Sequence, residues 1–478
     1  MLDIAWSSAH EIASAVKAGE ITVEEVAEST IARVEKYDPA LNAFISFKPN
    51  EIRERAKAIS RRLSAGEDVG PLAGVPFAIK GSVAIKGESA TGALVALKDE
   101  IAGSDAALYD RLVEAGGLFI GQTSLPEAGY AATSESHLFG ATHNPWKRGF
   151  SAGGSSTGSA AAVAAGLVPI AEGSDGGGSI RIPASLCGLV GFKPSLGRIP
   201  CTVLPTRYET WAFHGPLTRS VADAALMFQV MSGPSDQDPL SLPDDGTDFT
   251  AGLDRDLSGL RVAYSPDLGT GYDLDPEVAE ACLQAVKRFE QLGATVTEAT
   301  PPWTNLEETM WHSVWVPGFA GERDMIDWDA WDGQIDPELV ELVKESDRLP
   351  VADYGRANLA RSQMWDAYVE FMRDYDVIVS PTVTHAAPPH GQFSQDHLEG
   401  ESLRNRLLGW LLTYPFNLLT VPAISMPVGL TSDGRPIGLQ IAGKKLADAE
   451  VLRVAAGFER IHSPWADGAR PDLSSFES

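Results

Sequence analysis

The sequence predicts an α/β protein, with a twisted mixed sheet held between helical layers, and two observations carry that prediction. The first is alternation. VPFAIK at 75–80 has the unbroken apolar run of a buried strand and ends in a lysine, residues 104–115 have helical periodicity, and LFIGQTS at 118–124 returns to strand. Strands and helices that alternate along a chain place the sheet between the helices. The second is size. A chain of 478 residues with 44% apolar composition supplies a large core, and it reads as one main layered body with room for a subdomain.

The elements follow in order. Ser8 with Glu11, and Thr22 with Glu25, have capping-box spacing and announce two N-terminal helices, and the charged, periodic 50–64 gives a third with a wet face. Residues 149–191 then abandon periodicity for glycine and serine. A flexible linker has such a composition, but AAAVAAGLVPIA interrupts it and an apolar run follows, so a buried, functional glycine-rich core is the better reading. LRVAYSPD at 260–267 reads as a strand and 276–292 as a helix beginning after Pro276. The stretch 301–331, with Trp303, Trp311, Trp315, Trp328 and Trp331, reads as an insertion or helical cap. DYDVIVSPT at 374–382 and TVPAISMPVG at 420–429 give further strands, and LADAEVLRVAAGFER a closing amphipathic helix. The organisation is therefore a helical region at 1–70, a catalytic core at 71–235, a cap-like segment at 236–370 and a return to the same body at 371–478.

Charge and cysteine content narrow the function. Lys and Arg number 38 against 65 Asp and Glu, a net charge of -27, which repels phosphate backbones and anionic membranes. No nucleic-acid or membrane partner is expected. Cys187, Cys201 and Cys282 form no C-x-x-C or disulfide pattern, and the first residues lack a leader's basic-then-apolar order, so a cytoplasmic location is the expectation. Nine histidines form no metal-ligand spacing; His385 and His390 flank APP in a loop and read as surface residues, and G-x-G at 269–271 lacks the rest of a dinucleotide fingerprint. No metal and no organic cofactor is expected.

Two segments carry candidate chemistry. GSSTG at 154–158 fits a nucleophile elbow on Ser156, but an elbow needs a strand before it and KRGFSAGG reads poorly as one. SDGGGS at 174–179 places three glycines before a serine, which frees backbone N–H groups to converge on a developing oxyanion. Taken alone, that stretch divides evenly between this role and a tight turn before a helix, with Arg181 paired to an acid.

The longer pattern adds a resemblance. GVPFAIK ending at Lys80, AGGSSTGSAAAVAAG at 152–166, GSDGGGSIRIPASLCGLVGFKPS at 173–195, GPLTRSVADAA at 215–225 and PFNLLTVPAISMPVG at 415–429 together resemble the amidase signature family, over nearly the whole chain apart from about 235–370. The resemblance implies the amidase signature fold and hydrolysis of carboxylic amides, with esters and carbamates open to the same chemistry. It implies Ser179 as nucleophile, Ser155 as bridging serine after a cis peptide, Lys80 as base, and an oxyanion hole on the N–H groups of Gly176, Gly177, Gly178 and Ser179. A serine hydroxyl needs a base, and lysine serves only when neutral, which burial at the end of an apolar strand favours.

Two departures stand out: Gly81 where the family commonly has aspartate, and Gly176 where it commonly has a bulkier residue, a change expected to loosen or widen the oxyanion turn. The tryptophans suggest an aryl or apolar substrate, with Trp311, Trp315, Trp328 or Trp331 lining the cleft; a structural cap whose tryptophans are core is the equal alternative. The partner is then a small-molecule amide and the protein a monomer or homodimer. Two rival functions are an inactive binding or scaffold protein and a glutamine-hydrolysing component of an amidotransferase.

Overall fold

The computed structural model describes residues 2–203, 206–321, 323–331 and 333–477. Both N-terminal capping boxes close: Ser8 Oγ accepts from Glu11 N at 3.1 Å while the Glu11 carboxylate accepts from Ser8 N at 2.8 Å, starting helix Ala9–Lys17. Thr22 and Glu25 repeat the exchange at the start of Val23–Leu41. Each box satisfies N–H groups that the first helical turn leaves without partners. Pro49–Ser64 is the third helix, its apolar stripe of Ile52, Ala56 and Ile59 turned inward.

An eleven-stranded mixed sheet crosses the molecule. From one edge its strands run Phe44–Phe47, Leu118–Thr123, Pro76–Lys80, Ile170–Asp175, Phe213–Thr218, Val190–Lys193, Ala423–Leu430, Pro436–Gly443, Val377–Pro381, Arg261–Tyr264 and Thr295–Glu298. Pro76–Lys80 is parallel to both neighbours, and every residue in it is buried, as a parallel strand covered on both faces requires. The antiparallel Phe213–Thr218 pairs residue by residue with Ile170–Asp175, from Phe213 opposite Asp175 to Thr218 opposite Ile170.

Helix Thr157–Ala164 is buried along its whole length and built from Gly, Ser, Thr, Ala and Val. Small side chains let its backbone lie close to its neighbours: a Cβ on Gly158 would fall 2.1 Å from the Ala43 carbonyl oxygen. The sequence reading of KRGFS as a poor strand is corrected. Lys147–Ser151 is a strand, but it pairs with His143–Asn144 in a separate ribbon and touches Pro389, outside the large sheet. Its partners, not an apolar alternation, define it.

The buried apolar residues form two clusters. One lies around the large sheet and the N-terminal helices; the second gathers Trp211, Trp303, Leu306, Trp311, Trp315, Phe319, Leu339 and Leu342 with residues from 364–423. Within the tryptophan-rich stretch a helical segment carries Trp311 and Trp315, as Leu306–Met310 runs through a wider π-type turn at Trp311–Trp315 into Val316–Ala320, while Trp303, Trp328 and Trp331 lie outside it. No helix among the described residues is long and apolar enough to cross a membrane.

Candidate active site

Lys80 ends its strand only 1% exposed, and its Nζ donates to Ser155 Oγ at 2.7 Å and to Ser174 Oγ at 2.9 Å. Burial pushes this amine down to about 7, against the opposing pull of the Glu172 and Asp175 carboxylates. Glu172 is itself fully buried: one oxygen accepts the Lys80 backbone N–H at 3.1 Å and the other lies 2.7 Å from His214 Nδ1. The lysine is thus held from behind at its backbone and in front at its amine. A Cβ on the neighbouring Gly81 would lie 2.5 Å from Ile45 Cδ1, the movable end of that side chain, and 3.0 Å from the Thr123 carbonyl oxygen, so a larger residue there needs these neighbours to shift.

Ser155 follows a cis peptide at Gly154–Ser155, and Ser179 closes the glycine run just before helix Arg181–Leu186. Asp175 and Arg181 bracket that run with a two-pronged ion pair at 3.0 Å on each arm, both side chains buried. Burial alone would raise the Asp175 carboxyl, but Arg181, together with Lys193 and Asn417, more than offsets it and holds the group below its ordinary range. Arg181 also donates to Thr413 O at 2.8 Å, Gln440 Oε1 at 2.5 Å and Asn417 Oδ1 at 2.6 Å, so a buried guanidinium is fully answered. The two readings of this stretch, a tight turn with a paired arginine and a set of converging N–H groups, are both compatible with this geometry.

Thr413 Oγ1 donates to the Gly177 carbonyl at 2.5 Å. In a trans peptide the next N–H points the opposite way, so that bond turns the Gly178 N–H away from Thr413. Gly178 has φ +137°, and a Cβ there would collide with Thr413 Oγ1 at 2.1 Å, so glycine is required on both counts. No backbone carbonyl among the described residues accepts from the N–H of Gly176, Gly177, Gly178 or Ser179.

One cleft brings these groups together. Lys80, Ser155, Ser174, Gly176 and Ser179 line it, with Trp211, Trp315 and Phe319 on its apolar side. Of the four tryptophans singled out from sequence, Trp315 lines the cleft. Trp311, Trp328 and Trp331 do not; they pack in the second cluster, with Trp311 Nε1 bonded to Glu345 at 2.7 Å and Trp328 Nε1 to Arg323 O at 2.9 Å. Sequence reasoning passed over Ser174, Trp211 and Phe319. The expected widening at Gly176 is also corrected: its vacated space is filled by the Trp211 ring, which a Cβ would meet at 2.7 Å.

Ser156 is fully buried and its Oγ exchanges hydrogen bonds with the Ser174 backbone, at 3.1 Å to both O and N. His390 sits between Glu135 Oε1 at 2.8 Å and His143 Nδ1 at 3.0 Å. Away from the residues lining the cleft, Asp273, His385 and His397 place one ligand-type atom each within 4.8 Å of the others. The sequence gives no sign of that group because Asp273 comes from a distant segment.

Sheet and cleft together define the class: an α/β amide hydrolase. A family model described as Amidase matches residues 25–452, and the chain belongs to the amidase signature family. An acylamidase of Rhodococcus erythropolis is 51% identical over 462 residues, spanning 97% of this chain and 96% of its own length. The crystal structure of a bacterial aryl acylamidase of the same family aligns with a TM-score of 0.90 at 33% identity, covering 97% of each chain. A glutamyl-tRNA(Gln) amidotransferase component from Symbiobacterium thermophilum is 33% identical over 474 residues, covering 93% of this chain and 94% of its own, and is the more distant likeness.

Proposed function

We propose that this chain hydrolyses uncharged amides bearing aryl or other apolar groups, through an acyl-Ser179 intermediate relayed by Ser155 and Lys80. The observation that carries the reading is the 2.7 Å contact between Lys80 Nζ and Ser155 Oγ, with the amine buried and its basicity lowered to about 7. Neutral Lys80 takes the Ser155 proton as Ser155 takes that of Ser179, and Ser179 Oγ adds to the carbonyl carbon. The oxygen that gains charge is received by the N–H groups of Gly176, Gly177, Gly178 and Ser179. The proton then returns through Ser155 to the departing amine, and water repeats the relay to release the acid. The same steps open esters and carbamates.

On this reading the protein acts in the cytoplasm, which its three free cysteines, Cys187, Cys201 and Cys282, support, and does so as a monomer or homodimer. The kinship with the Rhodococcus acylamidase favours an amidase over an amidotransferase component or an inactive scaffold. Labelling with a small fluorophosphonate followed by peptide mass spectrometry is the test. The adduct is expected on Ser179, and Ser179→Ala is expected to lose label and roughly 10⁴-fold or more of kcat at an unchanged Tm. An adduct on Ser156 instead would move the protein to the nucleophile-elbow reading.

A further inference from the structure

We infer that Trp211, seated between Gly176 and Gly318, forms with Trp315 the element that selects a flat aromatic group on the substrate. This rests on the acylation at Ser179 proposed above and names the part of the site that chooses what is acylated. Neither Gly176 nor Gly318 has a positive φ, so backbone conformation does not call for glycine at either position. Space does. A Cβ on Gly176 would lie 2.7 Å from Trp211 Cζ3, and one on Gly318 would lie 2.8 Å from Trp211 Cζ2. Two distant segments have given up their side chains to opposite sides of one benzo ring, Gly176 at Cζ3 and Cε3 and Gly318 at Cζ2 and Cε2.

That indole is also held in orientation. Trp211 Nε1 donates to Glu209 Oε2 at 2.7 Å, and its carbonyl accepts from Asn417 Nδ2 at 3.2 Å, the same amide that bonds Asp175 at 2.8 Å. Trp315 stands with its ring centroid 6.0 Å away and tilted by 55°, and Phe319 meets Trp315 edge-on at 6.0 Å. Trp315 Cζ3 lies 3.3 Å from the place a Gly177 Cβ would take. The two benzo edges therefore converge on Gly176 and Gly177, next to where a carbonyl bound to Ser179 must sit. A planar ring presents a thin edge and a π face to tilted indoles, whereas a saturated ring of equal carbon count is thicker and lacks the face.

The charged groups point the same way. Among the described residues lining the cleft, Lys80 and Asp175 alone are ionisable. Asp175 is bound to Arg181 and Lys80 to the two serines, so the carboxylate of a substrate such as glutamine finds no free cation there.

The experiment compares kcat/KM for acetanilide and N-cyclohexylacetamide in the wild type, Trp211→Leu, Trp211→Phe and Gly318→Ala, with fluorophosphonate labelling of Ser179 in each. The anilide preference is expected to fall about 10- to 100-fold in Trp211→Leu and in Gly318→Ala while labelling stays complete. Trp211→Phe keeps a flat ring in the slot and is expected to retain most of the preference. It and Gly318→Ala keep the test readable if the leucine variant fails to fold. An unchanged ratio in fully labelled Trp211→Leu and Gly318→Ala would overturn the inference. If the wild type turns over both amides but Ser179 resists label, the acylation reading falls and the ratio still decides the role of Trp211.

Discussion

On the polar side of the cleft the buried charged groups are each answered, Lys80 by Ser155 and Ser174 and Arg181 by Asp175, Thr413, Asn417 and Gln440. On the aromatic side Trp211, Trp315 and Phe319 meet only through ring edges and tilted faces. The first side fixes positions through directional bonds, which lose their value when a donor moves by an ångström. The second relies on shape and apolar area, which many ring sizes satisfy to different degrees. On the proposed reading, chemistry and selectivity are thus built from different materials, and substitutions on the two sides should leave different kinetic signatures.

The largest separation is expected at Lys80. With its amine lowered to about 7, the neutral form gains as pH rises, so kcat/KM for an amide should climb through that value and level off above it. Lys80→Ala should lower amide kcat about 10³- to 10⁴-fold and erase that rising limb, with a smaller loss on a matched ester whose leaving group needs no proton. Lys80→Arg should rescue neither, since guanidinium stays protonated. Pre-steady-state acylation across pH measures this; near-wild-type amide acylation in Lys80→Ala would remove the lysine from the relay.

A smaller effect should follow from Thr413→Val, which keeps the side chain's shape and removes the bond to the Gly177 carbonyl. With one less restraint on the Gly178 N–H, kcat is expected to fall about tenfold with KM little changed, because the developing oxyanion and not the bound amide feels the loss. A rise in KM alone would assign Thr413 to substrate binding instead.

The smallest kinetic effect, and the sharpest contrast between neighbouring tryptophans, is expected from Trp311→Leu. Trp311 is buried away from the cleft lining, so its loss should lower stability by about 2–4 kcal/mol in a denaturant melt and leave the anilide to alkyl-amide ratio unmoved. Trp315→Leu should move that ratio. Equal ratios in both variants would merge the aromatic side with the core.

The same division governs what the sequence discloses. Strand Pro76–Lys80, the helix starts at Ser8 and Thr22 and the glycine run before Ser179 are legible because each is written in nearby residues with a local physical meaning. Lys147–Ser151 is not, since its strand geometry comes from His143–Asn144 and Pro389. The density of tryptophans between 303 and 331 announces an aromatic body but not which faces turn to the cleft, and Trp311 and Trp328 spend their N–H groups on Glu345 and Arg323. Trp211 left its only signal as missing side chains at Gly176 and Gly318, positions that nothing in the linear sequence connects to it.

The reach of Arg181 has a consequence for the newborn chain. Synthesis runs from the N-terminus, so the segment with Ser155, Ser179 and Arg181 emerges long before Thr413, Asn417 and Gln440. Until those residues arrive, the guanidinium has Asp175 but lacks its other partners, and the Gly177 carbonyl lacks its hydroxyl. A nascent chain carrying Lys80, Ser155 and Ser179 is therefore still without the restraints that shape the glycine turn before Ser179.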